Sequence, residues 1–358
     1  MAVGVRPDWE VRSAGDRECM AKAPTIVDVA EAAGVSTSTV SRFLRGEQVQ
    51  ASDRIRRVVD NLRYRPSPAA QHLKSGRTGA VALVVPDVMN PFFAAVARGA
   101  MGVAAEDGHT VLIAHTDESG VRERAAIEAL VGRVDGLVLA PADEDAPGAR
   151  VAEEAGLPVV LLDRLVERGS DHEAVLVDNH GGARAATQHL LQHGHRRIAT
   201  IAGLQGSTPG RLRLEGHLGA LAAAGVEVPD ELVQTADFTE HGGYQAMLRL
   251  IALNEPPTAV FVANNLMTLG ALHALRDLSV RVPDDCSIVG FDGHTFADLL
   301  SPPLTVVDRP MEDQGALAMR MLAGRLREGR RSPARQVVLE TTLIERGSCA
   351  PPPRGPRQ

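Results

Sequence analysis

The sequence predicts a small all-α helix-turn-helix unit followed by a larger α/β body of two lobes with parallel sheets. Two observations support this fold class. Residues 25–62 contain three short helical patterns, with a Gly turn between the first two. From residue 80 onwards, short β-branched runs alternate with helical stretches, which is typical of parallel sheets. The 358 residues are enough for one small domain and one large two-lobed unit.

The helix-turn-helix prediction follows from capping residues and apolar spacing. Residues 25–34 form a first helix, which Thr25 begins and Gly34 ends. A second helix follows Ser36 as its N-cap, and a third covers residues 51–62, where apolar residues recur at helical spacing. Three short helices with a tight turn between the first two are the pattern of a helix-turn-helix unit.

The α/β prediction depends on eight apolar runs that are read as strands. They are residues 80–86, 110–115, 136–140, 158–163, 174–178, 198–203, 259–264 and 287–292. Because eight strands are more than a single sheet is expected to hold, two similar lobes are expected. Ligands of such folds bind beyond the carboxyl ends of the strands. The residues to watch are therefore Pro86, Asp87, Asp163, Asn264 and Asp292.

Composition changes along the chain predict five segments. They are a disordered N-terminal extension (1–23), the helix-turn-helix domain (24–65), a hinge or linker (66–79), the two-lobed core (80–345) and a flexible Pro-rich tail (346–358). The two prolines and the basic residues of 63–79 favour a hinge. The tail has no heptads and cannot form a coiled coil.

Several classes of protein and site are disfavoured. The chain has no run of eighteen apolar residues, so no membrane span is expected. Its three cysteines lie far apart, which argues against disulfides or zinc and fits a reducing cytoplasm. His189, His193 and His195 lack a Cys or carboxylate that would complete a metal site, so a structural role is favoured. No dinucleotide fingerprint or nucleophile elbow is present, so neither a cofactor nor an enzyme is expected.

The uneven charge points to a polyanionic partner. Residues 21–79 carry ten Lys/Arg and five Asp/Glu, a net +5, whereas the whole chain is −7. A basic small domain on an acidic body suits nucleic acid, although a solvated helix face would give the same charge.

The stretch "VSTSTVSRFL" (35–44) suits a helix that enters the major groove of DNA. Small hydroxyls can approach bases and phosphates closely, and an arginine can contact guanine through two hydrogen bonds. The alternative is an ordinary capped and exposed helix. The candidate DNA contacts on this helix are Ser36, Thr37, Ser38, Ser41 and Arg42.

Ordered motifs over roughly residues 24–345 resemble the lactose-repressor/galactose-repressor family of bacterial transcription regulators. The motifs are "TIVDVAEAAGVSTSTVSRFL", "RYRPSPAAQHLKSGRT", "VPDVMNPFF", "VVLLDR", "HLLQHGHRRIATIAG", "RLRLEG", "VANNLMTLGAL", "SIVGFDG" and "PPLTVVDRPMEDQG". The resemblance implies a DNA-binding headpiece, a hinge helix, and a core similar to periplasmic sugar-binding proteins. It also implies a homodimer on a pseudo-palindromic operator.

The resemblance implies roles for further residues. Leu73 matches the hinge leucine that wedges into the minor groove, and Ala70 matches the small residue beside it. Four polar residues match positions that bind a small effector between the lobes, and three apolar residues match the walls of that site. The polar set is Asp163, Arg213, Asn264 and Asp292, and the apolar set is Phe92, Phe238 and Met311.

The sequence therefore predicts a cytoplasmic DNA-binding regulator, most simply a repressor controlled by a sugar or sugar derivative. A purine-like co-repressor is the alternative effector. A solute-binding protein without a regulatory role is a further alternative, but it would need a signal peptide and no headpiece. The sequence leaves induction and co-repression both open.

Overall fold

The computed structural model describes residues 24–65, 77–166, 172–293, 297–328 and 334–353. The chain divides into two compact units between Gly76 and Arg77. The first unit contains the headpiece, and the second contains the α/β body.

The headpiece is built from three short helices. They are α1 (Ile26–Ala33), α2 (Thr37–Leu44) and α3 (Ser52–Asn61). Thr25 and Asp28 form a capping box at the start of α1, and Gly34 ends this helix in the left-handed conformation at φ 59°. Val40 and Ile55 are fully buried in the small core that α1, α2 and α3 share. The predicted helix-turn-helix is thus present, with Ser36 as the N-cap of α2.

The body has two six-stranded sheets with helices packed against them. Its strands are β1 (Ala80–Val85), β2 (Thr110–His115), β3 (Leu137–Leu139), β4 (Val159–Leu162), β5 (Glu173–Val177), β6 (Ile198–Ala202), β7 (Val233–Thr235), β8 (Ala259–Val262), β9 (Ser287–Phe291), β10 (Thr305–Asp308), β11 (Gln336–Leu339) and β12 (Thr342–Ile344). Its helices are α4 (Pro91–Glu106), α5 (Gly120–Leu130), α6 (Gly148–Glu154), α7 (Asn179–Gln192), α8 (Thr208–Ala223), α9 (Glu240–Ile251), α10 (Asn265–Asp277) and α11 (Met311–Glu328). Two short 3₁₀ turns cover Asp230–Leu232 and Ala297–Leu299.

Each sheet forms the centre of one lobe. The first has the order β11-β5-β4-β3-β1-β2, and all its neighbours are parallel. The second has the order β12-β10-β9-β8-β6-β7 and is parallel except for β12, which runs antiparallel to β10. This confirms the predicted fold class.

The chain crosses between the lobes three times. It leaves the first sheet after β5, returns from β10 to α11, and crosses again between β11 and β12. α11 packs on α4 in the first lobe, although both β10 before it and β12 after it belong to the second sheet. Each lobe is therefore completed by a distant part of the chain.

All eight predicted strands are present, with ends that differ by at most two residues. The sequence reading missed β7, β10, β11 and β12. β7, β11 and β12 are three or four residues long, lie at sheet edges and are partly exposed, so they lack the long apolar run of a buried strand. β10 is buried but has only four residues between two prolines and a helix.

The first residues of the predicted tail contact the second sheet. The Ser348 hydroxyl donates to Ile288 O at 2.7 Å and accepts from Thr305 N at 2.9 Å. The carbonyl of Ala350 bonds His195 Nε2 at 2.8 Å. These bonds hold the segment against the second sheet. Ser348 provides a hydrogen-bond partner for Ile288 O of β9 and for Thr305 N of β10.

Glycines allow α4 and α11 to pack closely. A Cβ on Gly99 would collide with the backbone oxygen of Glu312, and a Cβ on Gly315 would collide with that of Val96. Gly99→Ala is therefore expected to lower the free energy of unfolding by about 1–3 kcal/mol, as overpacking of a dense core does. Gly102→Ala on the same helix meets open space and should instead stabilise by up to about 1 kcal/mol. Urea denaturation of both variants measures the contrast, and equal behaviour would contradict the close packing.

No helix of the described residues has the length and apolar character that a membrane crossing requires.

Candidate functional site

The polar side chains of α2 and its cap form the candidate DNA surface. Ser36, Thr37, Ser38 and Arg42 are exposed, and Ser41 is half-buried. On the opposite side, Val40 is fully buried, so the helix presents hydroxyls outward from an apolar base. The other two predicted contacts, Ala70 and Leu73, lie outside the described residues.

Ser36 also stabilises the start of α2 as its N-cap. Its hydroxyl accepts from the backbone N–H of Thr39 at 3.2 Å and bonds the hydroxyls of Ser38 and Thr39 at 2.7 and 2.8 Å. This hydroxyl network fixes the N-terminal turn of α2, where backbone N–H groups and the helix dipole attract a phosphate.

A cavity of about 380 Å³ lies between the two lobes of the body. Its walls come from the segments after β1, β2 and β4 in the first lobe, and after β6, β7, β8, β9 and β10 in the second. These are carboxyl ends of parallel strands, where ligands of such folds bind. Six of the seven predicted effector residues line the cavity, namely Phe92, Asp163, Arg213, Phe238, Asn264 and Asp292.

Met311 is the exception among the predicted effector residues. It is the first residue of α11 and packs, half-buried, against the core of the first lobe instead of lining the cavity. The neighbouring Arg309 lines the cavity instead. The resemblance places an apolar wall residue here, but the turn after β10 directs the guanidinium inward.

A chain of buried ion pairs crosses the cavity. Arg309 Nη1 donates to Asp163 Oδ1 in the first lobe, and Arg309 Nε lies 2.7 Å from Asp292 Oδ1 in the second. The other Asp292 oxygen lies 3.6 Å from Arg213 Nη1. Arg213 donates further to Asn179 Oδ1 at 2.8 Å and to Ala263 O at 2.5 Å. The four charges alternate in sign and are each at most 5% exposed.

Burial and the neighbouring charges act in opposite directions on these groups. Burial alone raises the pKa of Asp163, but the charges of Arg309, Arg213 and Arg164 outweigh it and hold this pKa below its ordinary value. Burial lowers the pKa of Arg213 to about 10, although the Asp292 charge raises it. Both groups therefore stay ionised at neutral pH.

Arg213 retains hydrogen-bonding capacity towards a ligand. Its Nη2 is buried and has no hydrogen-bond partner among the described residues. Its guanidinium carbon also lies 3.6 Å from the ring centroid of Phe291, which holds the group flat. Arg309 stacks in the same way on Phe92, also at 3.6 Å.

A third buried arginine supports the first-lobe wall. Arg164 makes a two-pronged ion pair with Glu118, at 2.5 and 2.7 Å. It also donates to the carbonyls of Pro141 and Ala142, at 3.1 and 2.9 Å. The two terminal nitrogens of Arg164 are thus committed to protein partners and fix the loops that carry them, while its buried Nε has no hydrogen-bond partner among the described residues.

Further polar contacts join the lobes beside the ion pairs. Asn265 Nδ2 donates to Asn90 Oδ1 at 2.8 Å. Thr208 Oγ1 donates to Glu144 Oε1 and accepts from the backbone N–H of Leu165, both at 2.9 Å. The two lobes are therefore in direct hydrogen-bonded contact on either side of the cavity.

Strained backbone is concentrated at the cavity. Of the seven described residues other than glycine with positive φ, five line it: Asp117, Glu118, Asp163, Phe238 and Asp292. Aspartate tolerates this region, but φ 64° at Phe238 is unusual for a bulky side chain. Such strain clusters at binding sites, where it holds side chains ready for a ligand.

Sequence reasoning missed Arg309, Arg164 and Glu118. Arg164 directly follows Asp163, a predicted effector residue, and Arg309 directly follows β10. Had β10 been predicted, the rule that ligands bind beyond strand ends would have indicated Arg309. Glu118 follows β2 by three residues, and nothing in its local pattern marks it.

The three histidines of the H-x3-H-x-H stretch have protein partners. His189 Nδ1 lies 3.5 Å from Glu345 Oε1, and His193 Nδ1 bonds the His189 carbonyl at 2.9 Å. His195 Nδ1 bonds Thr258 Oγ1 at 2.9 Å. Within the described ranges, no group of three or more His, Cys, Asp or Glu side chains is placed to hold a metal ion.

Comparison with known proteins agrees with both units. Residues 25–67 match "Bacterial regulatory proteins, lacI family", and residues 187–349 match "Periplasmic binding protein-like domain". The HTH-type transcriptional regulator CelR of Thermobifida fusca is 39% identical over 91% of this chain and 98% of its own length. The ribose operon repressor of Escherichia coli K12 is 33% identical over 91% of this chain and 99% of its own length.

A solved structure described as a CelR–cellobiose complex superposes with a TM-score of 0.71 at 38% identity. The match covers 91% of this chain and 99% of that one. Identity at this level over nearly the whole of both chains confirms the family resemblance seen in the sequence. The chain therefore belongs to the lacI family of bacterial regulatory proteins and is a DNA-binding transcriptional regulator.

Proposed function

We propose that this regulator is a repressor whose operator binding is controlled by an uncharged sugar in the cavity between the lobes. The observation that carries the proposal is the ion-pair chain from Asp163 through Arg309 and Asp292 to Arg213. Its carboxylates and guanidiniums accept from and donate to vicinal hydroxyls, while Phe92 and Phe238 supply apolar walls. A few polar anchors on apolar walls are typical of small-ligand sites.

The charge of the cavity favours a neutral ligand over an anionic one. The buried carboxylates and guanidiniums already neutralise one another, so a charged ligand would leave one of them without a counter-charge. The lining as a whole carries six carboxylates and three guanidiniums. A phosphate or carboxylate ligand would meet this excess of negative charge in a site of low dielectric.

The relatives support a sugar. The CelR structure is described with cellobiose, and another relative is named for the ribose operon. A purine-like co-repressor remains the alternative effector, and the experiment below tests it.

A solute-binding protein without a regulatory role would not need the headpiece. An enzyme would need reactive groups, whereas the three arginines of the cavity are held in ion pairs with Glu118, Asp163 and Asp292. We therefore propose a non-catalytic protein that acts in the cytoplasm, where its DNA is.

The candidate DNA contacts remain part of this proposal. Ser36, Thr37, Ser38, Ser41 and Arg42 would meet base edges and phosphates of one half-site. Ala70 and Leu73 would act at the operator centre, where an apolar wedge unstacks one base step.

Control of DNA binding would come from differential affinity. A sugar that binds one arrangement of the lobes more tightly shifts the operator equilibrium only by that difference, typically about 1–3 kcal/mol. We propose that the sugar acts as an inducer and weakens operator binding by roughly 5- to 150-fold.

The test measures binding of the full chain to cellobiose, ribose and glucose by calorimetry. Glucose 6-phosphate is included to test a charged ligand, and hypoxanthine to test a purine ligand. The protein first selects a DNA duplex from a random library. Its affinity for this duplex is then measured by titration, with and without the compound that binds. A neutral sugar that binds and weakens duplex binding supports the proposal. Binding of hypoxanthine alone would replace it by purine control, and tighter duplex binding with sugar would mean co-repression.

We further propose a homodimer that uses the β2 edge of the first lobe. Leu112 and Ile113 on this edge strand are 38% and 47% exposed, and Met101 on the adjoining α4 is 44% exposed. An apolar strand at a sheet edge invites pairing with another chain. A second copy, related by a two-fold axis, would match the symmetry of a pseudo-palindromic operator.

Ile113→Lys is therefore expected to convert the dimer to a monomer at micromolar concentration, because it places a charge in the buried contact. Val338→Lys is the matched control, since Val338 is 58% exposed on β11 at the opposite edge of the same sheet. Sedimentation velocity measures both variants. A dimeric Ile113→Lys protein would rule out this edge, and a mass near four chains in the wild type would rule out the dimer.

A further inference from the structure

The carboxylate of Glu47 holds two arginines at the C-terminal end of α2. Glu47 Oε2 accepts from Arg42 Nε at 2.6 Å. Its other oxygen accepts from Arg45 Nε and Nη2, at 3.2 and 2.9 Å. The Glu47 side chain therefore contacts the residue that the proposed DNA surface uses for base recognition.

The backbone determines the position of Glu47. Gly46 has φ 83°, its N–H donates to Phe43 O at 2.9 Å, and the N–H of Glu47 donates to Arg42 O at 3.1 Å. These two bonds form a Schellman motif, which folds the chain back over the last turn of a helix. The first residue after the motif's glycine usually makes an apolar contact with the last helical turn. Here an ion pair takes that place, so Glu47 meets Arg42 because of the fold and not by chance encounter.

The contact leaves one side of the Arg42 guanidinium available. Glu47 binds Nε, and the described residues provide no hydrogen-bond partner for the two terminal nitrogens of Arg42. The Arg42 side chain is 55% exposed. A guanidinium held at Nε points its terminal nitrogens outward as a pair, which is the arrangement that the O6 and N7 acceptors of guanine require.

We propose that Glu47 is a positioning residue that makes Arg42 selective for guanine. This inference rests on the proposed DNA surface and goes beyond it. A free arginine loses side-chain freedom when it docks on a base, and Glu47 imposes much of that order before DNA arrives.

Glu47 also lowers the attraction for DNA in general. With its carboxylate, the cluster of Arg42, Arg45 and Glu47 carries a net +1 in place of +2. The hydrogen bonds from Arg42 and then Arg45 lower the pKa of Glu47, which keeps it ionised. Weaker attraction to phosphates reduces binding to every sequence, whereas the oriented guanidinium favours one sequence. Both effects increase the ratio of specific to non-specific affinity.

The experiment uses the full chain and the DNA duplex that the wild type selects from a random library. Guanines of that duplex are replaced one at a time by 7-deazaguanine, which lacks the N7 acceptor. The guanine that Arg42 reads is the one whose replacement weakens wild-type binding but not binding by Arg42→Ala. The expected wild-type penalty there is roughly tenfold, within the range for a two-bond arginine–guanine contact.

Glu47→Ala should reduce this penalty to about twofold or less, and Glu47→Gln, which keeps one acceptor, should give an intermediate value. Non-specific binding should become tighter, with a salt dependence steeper by roughly one released ion. Glu31→Gln is the matched control, because it removes an exposed carboxylate of α1 from the same unit. It should alter the salt dependence but leave the deazaguanine penalty unchanged.

Three results would overturn the proposal. The first is a full penalty in Glu47→Ala. The second is a change in the deazaguanine penalty that Glu47→Ala still causes when Arg42 is already replaced by alanine. Glu47 would then contact a base itself. The third is the absence of any guanine whose penalty depends on Arg42, which would remove the proposed DNA contact of Arg42 as well and so be distinguishable from the other two.

Discussion

Arg309→Met is expected to lower the free energy of unfolding by about 3–5 kcal/mol, because it removes one partner from a buried ion pair. Methionine keeps an unbranched side chain, but it is shorter and has no charge, so Asp163 and Asp292 lose the guanidinium that lies between them. Urea denaturation of the wild type and the variant measures the difference. Arg98→Met is the matched control, since Arg98 forms a pair with Glu312 at 3.0 Å but both side chains are more than half exposed. Exposed pairs contribute about 0–1 kcal/mol.

The destabilisation of Arg309→Met should shrink as the pH falls. In the wild type, the pKa of Asp163 is below its ordinary value, so the ionised carboxylate stabilises the fold above its unfolded pKa, and this stabilisation is lost on acidification. Arg309 is the strongest of the charges that lower this pKa, so its removal is expected to raise the pKa of Asp163. The variant then takes up a proton at a higher pH than the wild type does, and gains relative stability as the pH falls from neutral towards the ordinary range of a carboxyl group. A difference that stays constant over this range would contradict the coupling between Arg309 and Asp163.

Asp292→Asn is expected to weaken sugar binding by roughly 10- to 100-fold and to remove the sugar's effect on operator binding. A hydrogen bond from a ligand to a charged group contributes about 1.5–3 kcal/mol, and asparagine keeps the shape of the side chain without its charge. The measurement is an operator titration with and without the saccharide identified by calorimetry. Operator affinity without sugar should stay within about twofold of the wild type, since Asp292 lies in the body and the proposed DNA surface lies in the headpiece.

Asp277→Asn provides the control for this prediction. Asp277 is an exposed residue of α10 in the same lobe, and its ion pair with Arg276 lies at the surface. The control should respond to the sugar as the wild type does. An unchanged response in Asp292→Asn would show that the effector binds elsewhere.

The sequence predicted the architecture well where burial determines the pattern. Every predicted β-branched run became a strand, and all of them except the edge strand β2 are buried, where strands covered on both faces must be continuously apolar. Short strands at sheet edges carry no such requirement, so β7, β11 and β12 have no pattern to detect. The capping residues Thr25, Gly34 and Ser36 marked the headpiece helices, because their roles depend only on local backbone chemistry.

The sequence predicted several members of the candidate site but not the bonds between them. The strand-end rule and the family resemblance indicated Asp163, Asn264 and Asp292, which all line the cavity. Neither could show that Arg309 would join two of them, because this contact spans 146 residues of sequence. Nor could any local pattern indicate the positive φ of Phe238, which depends on tertiary contacts.

The three crossings of the chain between the lobes affect the order in which the protein can fold during synthesis. The first five strands of the first lobe leave the ribosome early, but α11 and β11, which complete that lobe, follow only after almost all of the second lobe. Until then, the side of α4 that contains Gly99 has no partner, and the apolar surface beneath α11 stays open. Incomplete chains with such surfaces are prone to aggregation. A nascent chain that stops before residue 311 should therefore depend on chaperones more than the finished protein does.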